Sequence, residues 1–497
     1  MTDLINAYSV SGASALIAYL LLRSTRVPDE LKHIPSIPFW PTVYKLATGM
    51  TMLEIMEEWI PYFEKYGTVT NFLMGKWKIA TGDPELLKKI TFDHENFDKL
   101  TPNEVVPGNL TDKLFGTNIL FSNHKVWKKH RRVVNGAFKK GWNLNVFSEC
   151  VEELFEKLGD STVKNADIDE LMQRVTVEAL GREIMGIKFD GISSPSQNEF
   201  VQNFNFVMRS ALSPVYFIFP SIDRPWNPLR FEAYEKLKQV NIFFDKLISD
   251  RKEMMKQDEN YKSKDILSLM IESNMKDLNG LTEEDVRYNT LIFFLAGQDT
   301  TSFTLSAVLY LLAEHPEIQE KVRQEVIKVL GENEYVDGKI QVPTNEQLNQ
   351  LEYLYAVIQE TMRLYPAVTI LTNWVSKNNY NYNGMNLPAG TVIDLYVYAI
   401  NRNEKYFKNP NTFDPSRFLE GGIDTNKLDS NWFSFGAGNR MCLGQSFTLT
   451  QQKIVLSSIL RRYRVKHSNV ENIGKPLKTR PPFLLRSDNL KLDLERI

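Results

Sequence analysis

Apolar and polar positions along this chain form an uncharged N-terminal run, two short β-prone blocks and, between them, long stretches of helical period. From Leu4 to Leu22 no residue is charged, and at about 1.5 Å per residue a helix of that length reaches about 28 Å, close to the hydrocarbon core of a bilayer. Asp3 precedes the run and Arg23 and Arg26 follow it, which by the positive-inside rule places the N-terminus across the membrane and the body in the cytosol. A cleaved signal peptide and a peripheral helix are the competing readings. The first prefers its positive charge ahead of the apolar run, and Asn6, Ser9, Ser11 and Ser14 make the run only moderately apolar. Pro35, Pro38 and Pro41 then stiffen the backbone against helix, as in a hinge. Thr68–Phe72 and Lys76–Ala80 flank Met74 and Gly75 and predict a hairpin, and a second β-prone block runs from Thr391 to Ile400 after the turn signal Leu387-Pro388-Ala389-Gly390. The longest helix starts at Thr282-Glu283-Glu284-Asp285, a cap with an acid three residues on, and runs to His315, where Pro316 forbids continuation. Its middle, Leu291 to Gly297, is apolar almost all round, as expected of a helix buried on every face.

Composition narrows the function. The chain has 497 residues, 43% hydrophobic and 24% charged, the balance of a folded globular protein. A net charge of −2 offers no global attraction to nucleic acid, so no nucleic-acid partner is expected. Cys150 and Cys442 are the only cysteines, too few for a disulfide framework or a cysteine-only zinc site, and the six histidines show no metal-binding spacing.

The candidate chemistry gathers around Cys442. Phe435-Gly436-Ala437-Gly438-Asn439-Arg440-Met441-Cys442-Leu443-Gly444 is a glycine-rich loop delivering one cysteine into a helix-like run. Glycines let the backbone approach a flat ligand, and nearby N–H groups lower the basicity of a thiolate. Read alone, a single cysteine is more often inert core than ligand. In the long helix, Ala296-Gly297-Gln298-Asp299-Thr300-Thr301 sets a carboxylate beside a hydroxyl, a proton relay where the small residues let a ligand come close; its plain alternative is a helix-packing glycine with an incidental Asp-Thr. Glu360 and Arg363, led in by Thr344 and Gln347, share one helix face, as an ordinary surface pair also would.

The ten-residue cysteine loop resembles the haem-binding signature of the cytochrome P450 family, with Phe435, Gly438, Arg440, Cys442 and Gly444 at the expected spacings. Further motifs follow in the family's order along nearly the whole chain: Trp127 and Arg131, Asp299 and Thr300, Glu360 and Arg363, and Pro415-Ser416-Arg417-Phe418. The resemblance is to the microsomal eukaryotic type, and the Ile34–Trp40 entry and the Gly67–Lys78 hairpin resemble those of fungal members. It implies a mainly α fold with a smaller β-rich region, and a haem b (iron protoporphyrin IX) whose iron takes Cys442 as axial ligand. It implies that Trp127, Arg131 and Arg440 face the haem propionates and that Asp299 and Thr300 deliver protons. It also implies that Glu360, Arg363 and Arg417 form a buried network without chemistry of its own. One expected propionate arginine is replaced by Asn373, which leaves a neutral donor there.

From the resemblance follow a monooxygenase reaction on a lipophilic small molecule and dioxygen as co-substrate. Electrons come from NADPH through a cytochrome reductase, with cytochrome b5 as a second donor, and the location is the endoplasmic reticulum membrane, single-pass. Residues 1–26 are then the anchor, 27–45 a proline-rich hinge and 46–497 the catalytic domain. Phe293, Phe294, Val368, Ile370, Leu371, Phe483 and Leu484 are expected at the substrate pocket, and the basic face of Lys128, Lys129, Arg132, Lys139 and Lys140 at the reductase. A haem-thiolate isomerase or dehydratase and a non-catalytic haem sensor stay open as alternatives. The Asp299-Thr300 pair argues against both.

Overall fold

A computed structural model describes residues 26–497, except 49, 74–75, 140, 195–196, 212, 214, 217–219, 259–260, 262–264, 277–279, 337, 426, 428–429 and 481–483. The expected anchor up to residue 25, the turn at Met74-Gly75, Lys140 and Phe483 therefore lie outside the described residues. No helix among the described residues is long and apolar enough to cross a membrane.

Eight helices position the site: α1 (His124–Phe138), α2 (Leu144–Leu158), α3 (Ile168–Leu180), α4 (Glu199–Ala211), α5 (Phe231–Gln257), α6 (Glu283–Glu314), α7 (Glu352–Leu364) and α8 (Gln445–Arg462). Helix α6 is the axis of the body. Thr282 caps it with a full capping box to Asp285, and it ends at His315 because Pro316 opens the next helix, as its sequence predicts. From Asn289 to Leu295 every side chain is buried, and α3 crosses it closely. At Gly297 a β-carbon would come within 2.5 Å of Leu180 Cδ2, so this glycine serves contact between two helices. The expectation that Gly297 opens the helix toward a flat ligand is corrected here: Ala296 is the exposed member of the pair.

Beside the helices lies a five-stranded sheet in the order β1-β2-β5-β4-β3, built from β1 (Thr68–Leu73), β2 (Lys76–Thr81), β3 (Phe97–Lys99), β4 (Leu371–Ser376) and β5 (Val392–Leu395). The hairpin β1–β2 forms in register from Thr68 opposite Thr81 to Leu73 opposite Lys76. The second β-prone block is only half strand, since Val397–Asn401 is a short helix. Its Val397 and Tyr398 favour strands locally, but all of its residues are buried and the Tyr398 hydroxyl reaches Glu57, so tertiary packing overrides propensity. The proline-rich stretch is docked rather than free. Ile37 N–H donates to Thr70 O and Thr70 N–H to Pro35 O at the edge of β1, and Pro41 sits in the first turn of a helix over Phe39–Ala47. Thr344 and Gln347 form the capping box of a separate short helix, Asn345–Gln350, and α7 restarts after Leu351.

Candidate active site

The cysteine loop is shaped by its glycines at two points. Gly436 and Gly438 have φ of +74° and +67°, and a β-carbon on Gly438 would lie 2.5 Å from Thr91 O, so that position admits no side chain. Gly438–Arg440 make a single turn of 3-10 helix, Cys442 N–H donates to Phe435 O at 2.9 Å, and the chain then enters α8 through Gly444. Phe435 itself packs on Trp432 with ring centroids 5.7 Å apart. The two cysteines part company here, Cys150 buried in the core and Cys442 exposed. Although accessible, the Cys442 thiol is closely ringed by protein. Desolvation raises its pKa, while backbone N–H groups of Gly444 and Gln445 and the charge of Arg131 pull it back toward thiolate. Its place at the N-terminus of α8 adds the helix dipole in the same direction. For Cys150, burial without such donors pushes the thiol well above its ordinary value.

Trp127 and Arg131 lie on α1 and turn toward this loop. Arg131 Nη1 donates to Met441 O at 3.1 Å, and the Arg440 guanidinium stacks over the Trp127 ring at 4.6 Å. Arg440 also donates to Ser122 O at 2.6 Å and Asn123 Oδ1 at 3.0 Å, while its Nε is buried without a partner among the described residues. Burial brings its pKa down to about 10, with Asp98 opposing the shift and Arg131 adding repulsion. His94 approaches the same group, its pKa lowered by burial and then by Arg440. Lys99, which sequence reasoning did not single out, completes the cluster: its Nζ donates to Thr372 O at 2.6 Å and stands 4.6 Å over the Trp374 ring. The nearest acids are engaged elsewhere, Asp98 with His124 at 2.8 Å and Asp394 with Lys78 at 3.1 Å.

Behind the loop the charges are closed. Glu360 receives Arg363 Nε and Nη2 at 2.6 and 2.7 Å, Arg417 Nε at 3.3 Å and Asp414 N–H at 3.0 Å. Arg363 spends its other donors on the carbonyls of Asn401, Pro410 and Thr412, and both Glu360 and Arg363 are fully buried. Ser434 Oγ donates to Met362 O at 3.3 Å, which ties the cysteine loop to this network.

The α6 motif is arranged differently from its sequence reading. Thr300 Oγ1 donates to Ala296 O at 2.7 Å, whereas the Asp299 carboxylate is buried and accepts from Arg486 Nη2 at 2.6 Å. The two side chains are therefore not hydrogen-bonded partners, because adjacent helix residues point about 100° apart. Desolvation raises the Asp299 pKa and Arg486 opposes it. No local signal marks Arg486, 187 residues away in sequence.

Among the expected pocket residues, Phe293 and Phe294 belong to the core. Phe293 packs on Phe138, and Phe294 on Phe189, Phe200 and Phe204. Ile370 is buried, and Val368 and Leu484 face each other across a β-bridge with Leu371 half-buried nearby in sequence. The expected basic face loses one member, since Lys129 pairs with Asp285 at 2.8 Å; Lys128 and Lys139 stay exposed.

These residues fit a haem. The exposed Cys442 carries a thiol with two backbone donors, and among the described residues no carboxylate is hydrogen-bonded to Arg440 or Lys99, Asp98 and Asp394 acting on them only through charge, with one guanidinium nitrogen left unpartnered. A family model described as "Cytochrome P450" matches residues 33–494. Among curated proteins the chain is 27% identical to "Cytochrome P450 4c21" of Blattella germanica, over 91% of this chain and 94% of that one. It is 26% identical to "Cytochrome P450 monooxygenase xanG" of Aspergillus fumigatus, over 92% and 86%. Among solved structures, the cytochrome P450DA heme domain in its triple-mutant form superposes with a TM-score of 0.80 at 22% identity, covering 93% of this chain and 98% of that one.

Proposed function

This chain belongs to the cytochrome P450 family, and from that premise we propose that Cys442 would hold the haem iron and that the stretch of α6 from Ala296 to Thr300 is where oxygen is handled. As a cytochrome P450 it is a haem-thiolate monooxygenase that uses haem b, dioxygen and nicotinamide-derived electrons passed on by a reductase. The observation that carries the site assignment is the exposed Cys442 thiol at the start of α8 with the N–H groups of Gly444 and Gln445 directed at it. When bound, the haem supplies the binding of dioxygen and the transfer of one of its atoms to a lipophilic substrate.

The chain's own residues supply placement and protons. Trp127, Arg131 and Arg440 orient the cofactor through its carboxylates, and Phe435 covers the loop that carries the ligand. Thr300 donates its proton to Ala296 O, which leaves the hydroxyl oxygen free to accept from water in the groove. Asp299, anchored by Arg486 and raised in pKa by burial, is the proton store one residue away. Lys128 and Lys139 form part of the face on which the reductase, and cytochrome b5 as a second donor, dock. The uncharged run Leu4–Leu22 anchors the body as a single span at the endoplasmic reticulum membrane. The exposed Trp226, Leu229 and Phe231 add an apolar contact for the membrane surface.

Cys442→Ala is expected to abolish the thiolate-type absorption of the reduced carbon monoxide adduct, and Cys150→Ser to leave it in place. A thiolate-type spectrum in Cys442→Ala would overturn the assignment. Thr300→Ala keeps carbon monoxide binding but lowers product formed per nicotinamide oxidised, with peroxide making up the difference. General acid steps contribute about 10²–10⁴-fold, so an unchanged ratio would remove the relay. A chain lacking residues 1–22 that still sediments with carbonate-washed membranes would refute the single anchor.

A further inference from the structure

Polar groups inside a fold are usually answered by the chain itself, and Asn373 shows how. Its N–H donates to Asp394 Oδ1 at 2.8 Å and its Oδ1 accepts from Lys78 Nζ at 3.1 Å, so it joins the buried pair Lys78–Asp394. A cleft of about 400 Å³ between α3, α4, α5 and the short strand Arg486–Ser487 is built on other terms. Three of its amides are tied in a row by their oxygens. Gln173 Oε1 accepts from Gln197 Nε2 at 3.0 Å, Gln197 Oε1 from Asn205 Nδ2 at 3.5 Å, and Asn205 Oδ1 from Gln298 Nε2 at 2.7 Å. Each amide nitrogen carries two N–H groups, so one on Gln197 and both on Gln173 are left unspent among the described residues.

Three cations share the lining. Lys236 Nζ donates to Asn203 Oδ1 at 2.9 Å and stands 5.2 Å from the centre of the Phe206 ring. Arg486 gives Nη2 to Asp299, which leaves the other edge of its guanidinium for the cleft. Arg209 is exposed and has no hydrogen-bond or ion-pair partner among the described residues. Glu232 is the one carboxylate of the lining, mostly exposed and 3.9 Å from Lys236. Spare N–H donors and positive charge, with amide oxygens already engaged, select an acceptor-rich anion. We propose that this cleft binds a phosphate or carboxylate group through Arg209, Lys236 and the outer edge of Arg486. The bound ion competes with Asp299 for one guanidinium. The site stands apart from the cysteine loop and does not rest on the haem-thiolate reading.

The test titrates inorganic phosphate, and acetate in a parallel arm, into the full-length holoenzyme by calorimetry at constant ionic strength. The two arms rank phosphate against carboxylate. Wild type should bind one ion, and Arg209→Gln combined with Lys236→Gln should weaken it about tenfold or more, the worth of a charged hydrogen bond. Lys408→Gln, an exposed lysine outside the cleft, should leave the affinity unchanged. Asp299→Asn removes the charge that competes for Arg486 and should tighten binding several-fold. Should the double variant melt below wild type, Arg209→Gln alone carries the comparison, since that side chain holds nothing else in place. No saturable binding of either ion to wild type overturns the proposal, as does binding that survives loss of the cations. An affinity indifferent to Asp299→Asn also overturns it, because the ion would then not share Arg486.

Discussion

Two groups of buried charge flank the cysteine loop, and they are built on opposite terms. In the Glu360–Arg363–Arg417 network the described contacts give each carboxylate oxygen and each guanidinium fork a partner from the chain. In the cluster of Arg131, Arg440 and Lys99 the partners are neutral, Met441 O, Ser122 O with Asn123 Oδ1, and Thr372 O, and Arg440 Nε has no partner among the described residues. A closed network costs most when one member is removed, since the remainder becomes an uncompensated buried charge. An open cluster is already under repulsion, so losing one member costs the folded chain little and its ligand much. The first is complete within the chain; the second keeps donors that the described residues do not use.

The sharpest break of this contrast is Glu360→Ala, which strands Arg363 at zero exposure. About 3–5 kcal/mol of stability should be lost, a large part of what a folded domain possesses, with both apoprotein and holoprotein failing in thermal unfolding. If Glu360→Ala melted within a degree or two of wild type, the network would not be the brace described. Arg440→Leu sharpens the contrast from the other side, with a smaller effect. It gives up hydrogen bonds to Ser122 O and Asn123 Oδ1 but relieves repulsion on Lys99, so the apoprotein should change by about 1 kcal/mol or less. Haem retention should fall by about tenfold, the worth of one charged hydrogen bond. An apoprotein as damaged as Glu360→Ala would erase the distinction between the two regions.

Much of this arrangement was legible in the chain because its causes are local. The capping box at Thr282 and the proline at 316 bound α6 whatever surrounds it, and the glycines at 436 and 438 write a loop that only a few backbone conformations satisfy. The spacing of Glu360 and Arg363 likewise puts them on one helix face before any fold is known. The misreadings share a different cause. Val397 and Tyr398 read as strand because propensity is local, yet burial made them helix; Gly297 read as facing a ligand, yet Leu180 of another helix occupies that side.

The sequence by itself determined the glycine-shaped cysteine loop and the boundaries of the central helix, since each depends on residues within a few positions of one another. Only the tertiary structure decided which charges are answered. Arg486 reaches Asp299 across 187 residues, and Lys78 meets Asp394 across 316. Lys99 comes beside Asn373 because β3 pairs with β4, a register that local pattern leaves open. Electrostatic partners are chosen by distance in space, and a chain that folds through a sheet and a crossing of helices brings together groups whose sequence separation carries no trace of the meeting.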